Sequence, residues 1–214
     1  MSFHSKFTRK KNYTVDTTNN NVENNFIYNS SFDGATIYTK TINNHESWIR
    51  TFSGRSFDPI SPKLEDIVIE DIAHSLSMQC RFLGHSSSFY SIAQHSILVS
   101  YLCDYKDRLS GLLHDASEAY IVDVPTPIKH SGSMEYYIEI ENILQNTIYK
   151  KYGLLEKHPE SVLYADSLML ATEGFTFMPN FPKTLQPAPI SIQPLSPSES
   201  ENLFLNRFRE LYVR

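Results

Sequence analysis

The amino-acid sequence predicts an all-α fold. From about residue 65 onward, apolar residues recur at the three- and four-residue spacing of helices, and convincing strand patterns are few. Proline-rich segments separate the periodic stretches. The 214 residues suffice for one domain of about 150 residues with appendages. We expect an Asn-rich, flexible or loosely attached segment at 1–45, a main domain at 46–178, and a Pro-rich segment with a packed C-terminal helix at 179–214.

The first half of the chain begins with weak patterns and then becomes helical. A short strand is predicted at 35–39, and a turn-rich lead-in at 51–59, where a glycine and nearby prolines interrupt any periodicity. Helices are predicted at 65–80 and 88–102, because apolar side chains fall on one face of each. The polar run at 84–88 separates them.

The second half continues with longer helices. A third helix is predicted at 107–122, and Pro125 and Pro127 end it, because proline cannot continue the helical hydrogen bonds. A long amphipathic helix follows at 134–152, with Gly153 as its C-cap. The remaining predicted elements are a helix at 161–176, an extended crossing segment or a loop at 179–197 with six prolines, and a final helix at 198–212.

Composition excludes several classes of protein. No run of about 18 apolar residues predicts a membrane span, and the polar, basic N-terminus lacks the apolar stretch of a secretory signal. Cys80 and Cys103 cannot build a disulfide framework and lack zinc-ligand spacing. The net charge of −5 argues against a stable nucleic-acid partner. We therefore expect a cytoplasmic protein without a membrane partner, whose chemistry comes from side chains.

Four ionisable residues inside apolar helical stretches are candidate metal ligands: His95, His114, Asp115 and Asp166. Burying such side chains is costly unless they are paired or bind a cation. Imidazole nitrogen and carboxylate oxygen suit divalent Zn, Co, Mn or Mg. For any one of them, a packed and hydrogen-bonded residue is the alternative, and spacing alone leaves both interpretations open.

Three further residues have a chemical and an ordinary interpretation. Glu118 follows His114 by four residues, so both can project from one side of a helix. A carboxylate there could orient water or carry its proton, or it could be a solvated surface residue. Asp123 is either a second acidic group or a residue that ends the helix. Arg81 is either a phosphate ligand, which its planar guanidinium suits, or a surface arginine.

The ordered set His95, His114-Asp115 and Asp166 resembles the signature of the HD-domain metal-dependent phosphohydrolases. The similarity extends beyond these ligands. The runs at 71–85, 89–96, 112–129 and 165–173 resemble the bacterial 5′-deoxynucleotidases and the phage dATP triphosphohydrolases. The resemblance covers about residues 51–178, and it implies a helical bundle with a metal site where three helices converge.

The resemblance also implies roles for individual residues. His95, His114, Asp115 and Asp166 would hold a divalent metal. The catalytic residues implied are Glu118 and Asp123, and the substrate-binding residues implied are Arg81, Phe82, His85, Pro127 and Lys129. His85 is equally compatible with a packed role, and His74 is expected to be structural. Relatives of this kind form homo-oligomers, so a dimer or larger assembly is expected.

The function implied is metal-dependent hydrolysis of a deoxynucleotide. The first expectation is a deoxynucleoside triphosphate, cleaved to deoxynucleoside and triphosphate. The alternative is a 5′-deoxynucleotidase that releases phosphate from monophosphates. An alternative of another class is a non-catalytic nucleotide-binding module on the same scaffold. A nuclease is disfavoured by the acidic charge, and the motifs of cyclic-dinucleotide phosphodiesterases and alarmone hydrolases are absent.

Overall fold

A computed structural model describes residues 48–182 and 186–212, together with the backbone of 31–32 and 35–36. The chain divides into two compact units, Met1–Glu46 and Ser47–Arg214. In the first unit, β1 (Ser31–Phe32) pairs antiparallel with β2 (Ala35–Thr36). The predicted strand at 35–39 therefore coincides with β2 at its start, and residues 37–39 lie outside the described residues, as does the predicted Asn-rich stretch at 1–30.

The larger unit begins with a small antiparallel hairpin. Strand β3 (Ile49–Arg50) pairs with β4 (Ser56–Phe57), and the positive φ of +82° at Gly54 allows the chain to reverse between them. The Arg50 guanidinium Nη1 donates to the Gly54 carbonyl over 2.7 Å and braces the turn. The sequence indicated only an irregular lead-in, because strands of two residues are too short to show alternation.

Helices form most of the described structure, which confirms the all-α prediction. They are α1 (Ile69–Met78), α2 (Ile92–Leu102), α3 (Arg108–Leu112), α4 (Glu118–Ile121), α5 (Thr126–Lys129), α6 (Glu135–Lys151), α7 (Glu160–Phe177) and α8 (Pro197–Leu211). Short 3₁₀ turns occupy Leu64–Asp66, Arg81–Gly84 and Tyr105–Asp107. None of the helices in the described part of the chain is both long and apolar enough to cross a membrane.

The first predicted helix and the predicted proline-rich turn both need correction. The first predicted helix, at 65–80, is a 3₁₀ turn followed by extended backbone at Ile67 and Val68, and α1 starts only at Ile69. Consecutive β-branched side chains at 67–69 are stiff and favour the extended conformation there. Thr126–Lys129, expected to be only a proline-rich turn, forms the short helix α5, which tolerates proline in its first turn.

The third predicted helix is also interrupted, between α3 and α4. Residues 113–117 are held by tighter bonds: Ala116 N donates to the Leu113 carbonyl, and Glu118 N to the Asp115 carbonyl. The Gln145 side chain from α6 accepts from Ser117 N over 3.0 Å and donates to the Leu113 carbonyl over 2.7 Å. It thereby replaces backbone bonds that the interruption removes.

Two apolar clusters lie on either side of α2. The larger one joins α1, α3, α6 and α8, and its fully buried members include Ile72, Leu76, Leu112, Leu144, Ile148 and Phe204. The smaller one joins α2 and α7, and includes Tyr90, Val99, Val162, Met169 and Phe177. Because α2 contributes to both clusters, its inner face is packed from two sides, and side chains there are held rigidly.

Between α7 and α8, the described residues 178–182 and 186–196 form neither helix nor strand, and residues 183–185 lie outside the described residues. The Gln94 side chain on α2 holds this segment: its Nε2 donates to the Gln193 carbonyl over 2.7 Å, and its Oε1 accepts from Leu195 N over 3.0 Å. A capping box between Ser196 and Glu199 then starts α8.

Gly111 allows α2 and α3 to approach each other closely. A Cβ at this position would lie 2.6 Å from Cys103 Sγ and 3.3 Å from the Ser100 Cα. We expect Gly111→Ala to lower the free energy of unfolding by about 1–3 kcal/mol, because the overpacked helices must shift. Urea denaturation followed by circular dichroism measures this loss.

The double variant Gly111→Ala/Cys103→Ala provides the control, because it removes the sulfur that the new methyl group meets. We expect it to be less destabilised than the sum of the two single variants. Purely additive losses would contradict the proposed contact.

Candidate metal centre

Four side chains from three parts of the fold meet at one point. His95 comes from α2, His114 and Asp115 from the turn between α3 and α4, and Asp166 from α7. Selected ligand atoms of the first three lie within 4.8 Å of one another and could hold a metal ion. Asp166 Oδ1 lies 3.2 Å from His95 Nε2 and 3.8 Å from His114 Nε2.

The interruption between α3 and α4 explains how two consecutive residues reach the same point. On a regular α-helix, neighbouring side chains diverge by about 100°. In the tightened turn at 113–117, His114 Nε2 lies 3.2 Å from Asp115 Oδ1. The turn therefore presents an imidazole and a carboxylate side by side.

Hydrogen bonds determine which nitrogen of each histidine faces the centre. His95 Nδ1 lies 2.6 Å from the Glu173 carboxylate, and His114 Nδ1 lies 2.8 Å from the Gly111 carbonyl. Both partners are acceptors, so each Nδ1 must carry a proton and donate it. In the neutral imidazoles, both Nε2 atoms then present lone pairs, and these atoms are 3.2 Å apart.

The centre is consequently a group of hydrogen-bond acceptors that face one another. Two imidazole nitrogens and two carboxylate oxygens repel unless a positive charge lies among them. Two nitrogens about 2.0–2.1 Å from one cation, at bond angles of about 90–110°, are about 2.8–3.4 Å apart. The observed 3.2 Å separation of the two Nε2 atoms fits this range.

The electrostatics of the centre also favour a cation. Burial opposes a second proton on His95, but Glu173 and Asp166 outweigh it and raise the pKa of His95 to about 9. Burial likewise opposes protonation of His114, and the adjacent carboxylates still raise its pKa. The carboxylates thus draw positive charge onto the imidazoles.

Glu173 is a candidate site residue that was not predicted from the sequence. It is fully buried on α7, where its Oε1 accepts from His95 Nδ1 and from Tyr90 Oη over 2.8 Å, and its Oε2 accepts from Arg81 Nε over 3.0 Å. Burial opposes its ionisation, yet the charges of His95 and Arg81 lower the pKa of this carboxyl group. The sequence did contain one indication of its position. Glu173 follows Asp166 by seven residues, or about two helical turns, so both lie on the same face of the helix.

A cleft of about 520 Å³ opens beside the centre, and we call it the metal cleft. Among the predicted site residues, those that line it are Arg81, Phe82, His85, Asp115, Glu118, Asp123, Lys129 and Asp166. Pro127 is not among the lining residues, although its neighbours Pro125 and Thr126 are. A volume of this size accommodates a small organic ligand.

The two predicted cationic substrate ligands already have acidic partners. Arg81 donates to Glu173 and lies 3.6 Å from an Asp115 oxygen. Lys129 Nζ donates to Glu141 on α6 over 2.7 Å. The positive charge of each side chain is therefore largely compensated by a neighbouring carboxylate, and little of it is free to attract a substrate in the metal cleft.

Glu118 contrasts with the other carboxylates of the centre. It is only 7% exposed, and its Oε2 has no hydrogen-bond partner among the described residues. Burial, Asp115 and Asp123 raise the pKa of this carboxyl group well above its ordinary value. Its protonated form is thus favoured more than in an ordinary glutamate.

The backbone is strained immediately after Glu118. Val122 ends α4 with a φ of +68° and a ψ of 149°, a conformation that β-branched residues rarely adopt. Tyr137 Oη on α6 donates to the Val122 carbonyl over 2.5 Å and holds it there. The next residue, Asp123, lines the metal cleft. The strain therefore lies between the two candidate catalytic carboxylates.

Comparison with models of known protein families gives no match. The chain is 40% identical over 172 residues to the uncharacterized protein YfdR of Escherichia coli (strain K12), a match that covers 77% of this chain and 96% of YfdR. The chain belongs to the YfdR family. A second relative of this YfdR-family chain is the uncharacterized protein RCAP_rcc00048 of Rhodobacter capsulatus, 37% identical over 117 residues, or 50% of this chain and 59% of that protein.

In this YfdR-family chain, Glu173→Gln tests the role of the buried carboxylate. We expect it to weaken divalent-metal affinity about 10–100-fold, because the His95 imidazole loses the charge that orients it and makes Nε2 a better donor of electrons to a metal. Isothermal titration with Co²⁺ or Mn²⁺ measures the change.

Glu201→Gln is the matched control, because Glu201 also bonds a histidine, His74, over 3.0 Å, but outside the centre. This variant is expected to bind the metal as the wild type does. Equal affinities in both variants and the wild type would show that Glu173 does not support a metal site.

Proposed function

We propose that this chain is a divalent-metal-dependent phosphohydrolase of the HD-domain type, acting on deoxynucleotides. The observation that supports it most is the convergence of imidazole nitrogens and carboxylate oxygens from His95, His114, Asp115 and Asp166, an arrangement that favours a cation among them. The resemblance of the ordered ligand set to HD-domain enzymes supports the assignment of the reaction.

The four ligands would hold Zn²⁺, Co²⁺, Mn²⁺ or Mg²⁺, since mixed nitrogen and oxygen donors suit these ions. When bound, such an ion would supply Lewis acidity and would lower the pKa of a water molecule in the site. Glu173 keeps the His95 imidazole in the tautomer that directs Nε2 inward. Arg81, largely buried beside the centre, adds positive charge where phosphoryl oxygens would bind.

Glu118 is the residue we assign to proton transfer. Its raised pKa favours the protonated form of the carboxyl group, and it lines the metal cleft beside the candidate ligands. As water attacks the phosphorus and the bond to the nucleoside oxygen breaks, Glu118 donates its proton to that leaving oxygen. The attacking water loses a proton to solvent, and the Glu118 carboxylate takes up a proton from solvent before the next turnover. The negative charge of Asp123 contributes to the raised pKa of Glu118 and so stabilises the protonated form of this carboxyl group.

The first proposed substrate is a deoxynucleoside triphosphate, which would yield deoxynucleoside and triphosphate. One observation favours the alternative, a 5′-deoxynucleotidase. Arg81 and Lys129 are already paired with carboxylates, so the metal cleft offers little free positive charge for a long phosphate chain. Both substrates undergo the same bond cleavage at the nucleoside oxygen, and they differ in the number of phosphates accommodated.

Product analysis tests these alternatives. The full-length protein, supplied in turn with Co²⁺, Mn²⁺, Mg²⁺ and Zn²⁺, is incubated with deoxy- and ribonucleoside mono- and triphosphates, and the products are separated by anion exchange. Triphosphate released from a deoxynucleoside triphosphate supports the first proposal, and phosphate released only from monophosphates supports the second. No turnover with any metal would favour a non-catalytic nucleotide-binding module. Light scattering of the same sample tests the expected homo-oligomer.

Glu118→Gln tests the proton-transfer role. The amide keeps the shape of the side chain but cannot donate an acidic proton, so we expect turnover to fall by about 10²–10⁴-fold. Metal affinity and thermal stability are expected to stay close to those of the wild type, because Glu118 is not one of the four ligands.

The control is Glu210→Gln, a mostly exposed carboxylate on α8 that pairs with Arg207. It is expected to retain full turnover. Wild-type activity in Glu118→Gln would refute the assignment of the proton donor.

A further inference from the structure

A second cleft, of about 510 Å³, lies against the N-terminal hairpin of the larger unit, and we call it the hairpin cleft. Strand β3 and the turn after it form one wall, and α1 and α4 form the others. None of the four candidate metal ligands lines it. Among the described residues, Glu118 alone lines both this cleft and the metal cleft.

An aromatic surface forms part of the hairpin cleft. The Phe52 ring lies parallel to the His74 ring, with centroids 3.7 Å apart and an interplanar angle of 10°. Glu201 on α8 forms a hydrogen bond with His74 and holds the His74 ring in place. Phe52 is nevertheless 62% exposed. An exposed ring backed by a second, fixed ring is suited to stack a planar ligand.

A guanidinium group lies on the same wall of the hairpin cleft. Arg50 donates one hydrogen bond to the Gly54 carbonyl and stacks 5.0 Å from the centroid of the Trp48 ring. No carboxylate within the described ranges forms an ion pair with it. Asp71, which also lines the cleft, instead accepts from the Ser53 backbone and hydroxyl. A guanidinium without an acidic partner is suited to bind an anionic group.

Gln79 joins the two helical walls of the hairpin cleft. Its Nε2 donates to Ser75 Oγ on α1 and to the carbonyl of Glu118, the first residue of α4. These bonds hold the end of α1 against the start of α4, so the two walls are fixed relative to each other.

We propose that the hairpin cleft is a second ligand site, which binds a planar aromatic molecule that carries an anionic group and is about the size of a mononucleotide. The ring stacks on Phe52, and the anion pairs with Arg50. The proposal requires no hydrolysis by this protein, and it concerns residues that the proposed reaction, Glu118 apart, does not use.

The chain carries its own reporter for this site. Trp48 is the single tryptophan of the sequence, and it contacts Arg50 at the hairpin cleft. A bound aromatic anion that engages Arg50 changes the surroundings of the indole and therefore its fluorescence. Tryptophan emission consequently follows binding at this cleft without interference from another tryptophan.

The test uses the full-length, metal-loaded protein and the 5′-methylenephosphonate analogue of deoxyadenosine, whose carbon–phosphorus bond is not hydrolysed. We expect saturable quenching of Trp48 at or below about 1 mM probe. Deoxyadenosine, which lacks the anion, and methylphosphonate, which lacks the ring, are expected to bind at least about tenfold more weakly.

Arg50→Gln removes the positive charge and is expected to weaken the quenching titration by about tenfold or more. Arg55→Ala is the matched control, because Arg55 is an exposed arginine of the same hairpin that does not line the cleft, and it is expected to bind as the wild type does. Because Arg50 also braces the turn, two further variants test the same site. Arg50→Lys keeps the positive charge and is expected to retain most of the affinity for the probe. Phe52→Leu removes the ring and is expected to lose that affinity.

Calorimetric stoichiometry separates this proposal from the proposed function. Two probe molecules per chain, one of them lost in Arg50→Gln, support both. One molecule that quenches Trp48 and is lost in Arg50→Gln supports the hairpin cleft and leaves the metal cleft without a nucleotide. One molecule that neither quenches Trp48 nor responds to Arg50→Gln overturns the hairpin-cleft proposal, as does an absence of any quenching.

Discussion

A buried carboxylate determines how the centre of this molecule is organised. Glu173 is completely removed from solvent, and an ionised carboxylate in such a place is destabilising by several kcal/mol unless donors compensate it. Its donors come from three places: His95 on α2, Tyr90 just before α2, and Arg81 in the turn after α1. Satisfying Glu173 therefore positions α2 and the preceding loop against α7, and it gives the His95 imidazole one orientation.

The second organising feature is the interruption between α3 and α4. A continuous helix would direct His114 and Asp115 to different sides, whereas the tight turn brings both to the centre. Gln145 on α6 compensates the backbone groups that the turn leaves without helical partners. The same interruption starts α4 at Glu118, so one local departure from helix geometry places both the ligand pair and the candidate proton donor.

Long periodic segments were predictable from the sequence, and features that depend on distant partners were not. The helices near 134–152, 161–176 and 198–212 were recognised because their apolar faces repeat over several turns. The interruption at 113–117 was missed because it depends on Gln145, which is about 30 positions away in the chain. Likewise, no local pattern could show that Arg81 and Lys129 pair with Glu173 and Glu141. Glu173 itself was visible only as a charged residue in an apolar helix, and its spacing from Asp166 was the usable signal.

The hydrogen bonds of Gln94 have a consequence for how the protein is made. His95 and its neighbour Gln94 lie in the first half of the chain, but their partners Glu173 and Gln193 follow 78 and 99 residues later. Contacts so distant in sequence form slowly, because closing a long loop costs entropy before any bond is gained. During synthesis at the ribosome, the inner face of α2 therefore stays exposed, with the Gln94 and His95 side chains lacking their partners. A chain stopped before the crossing segment would leave that face open, and a chaperone or protease could recognise it.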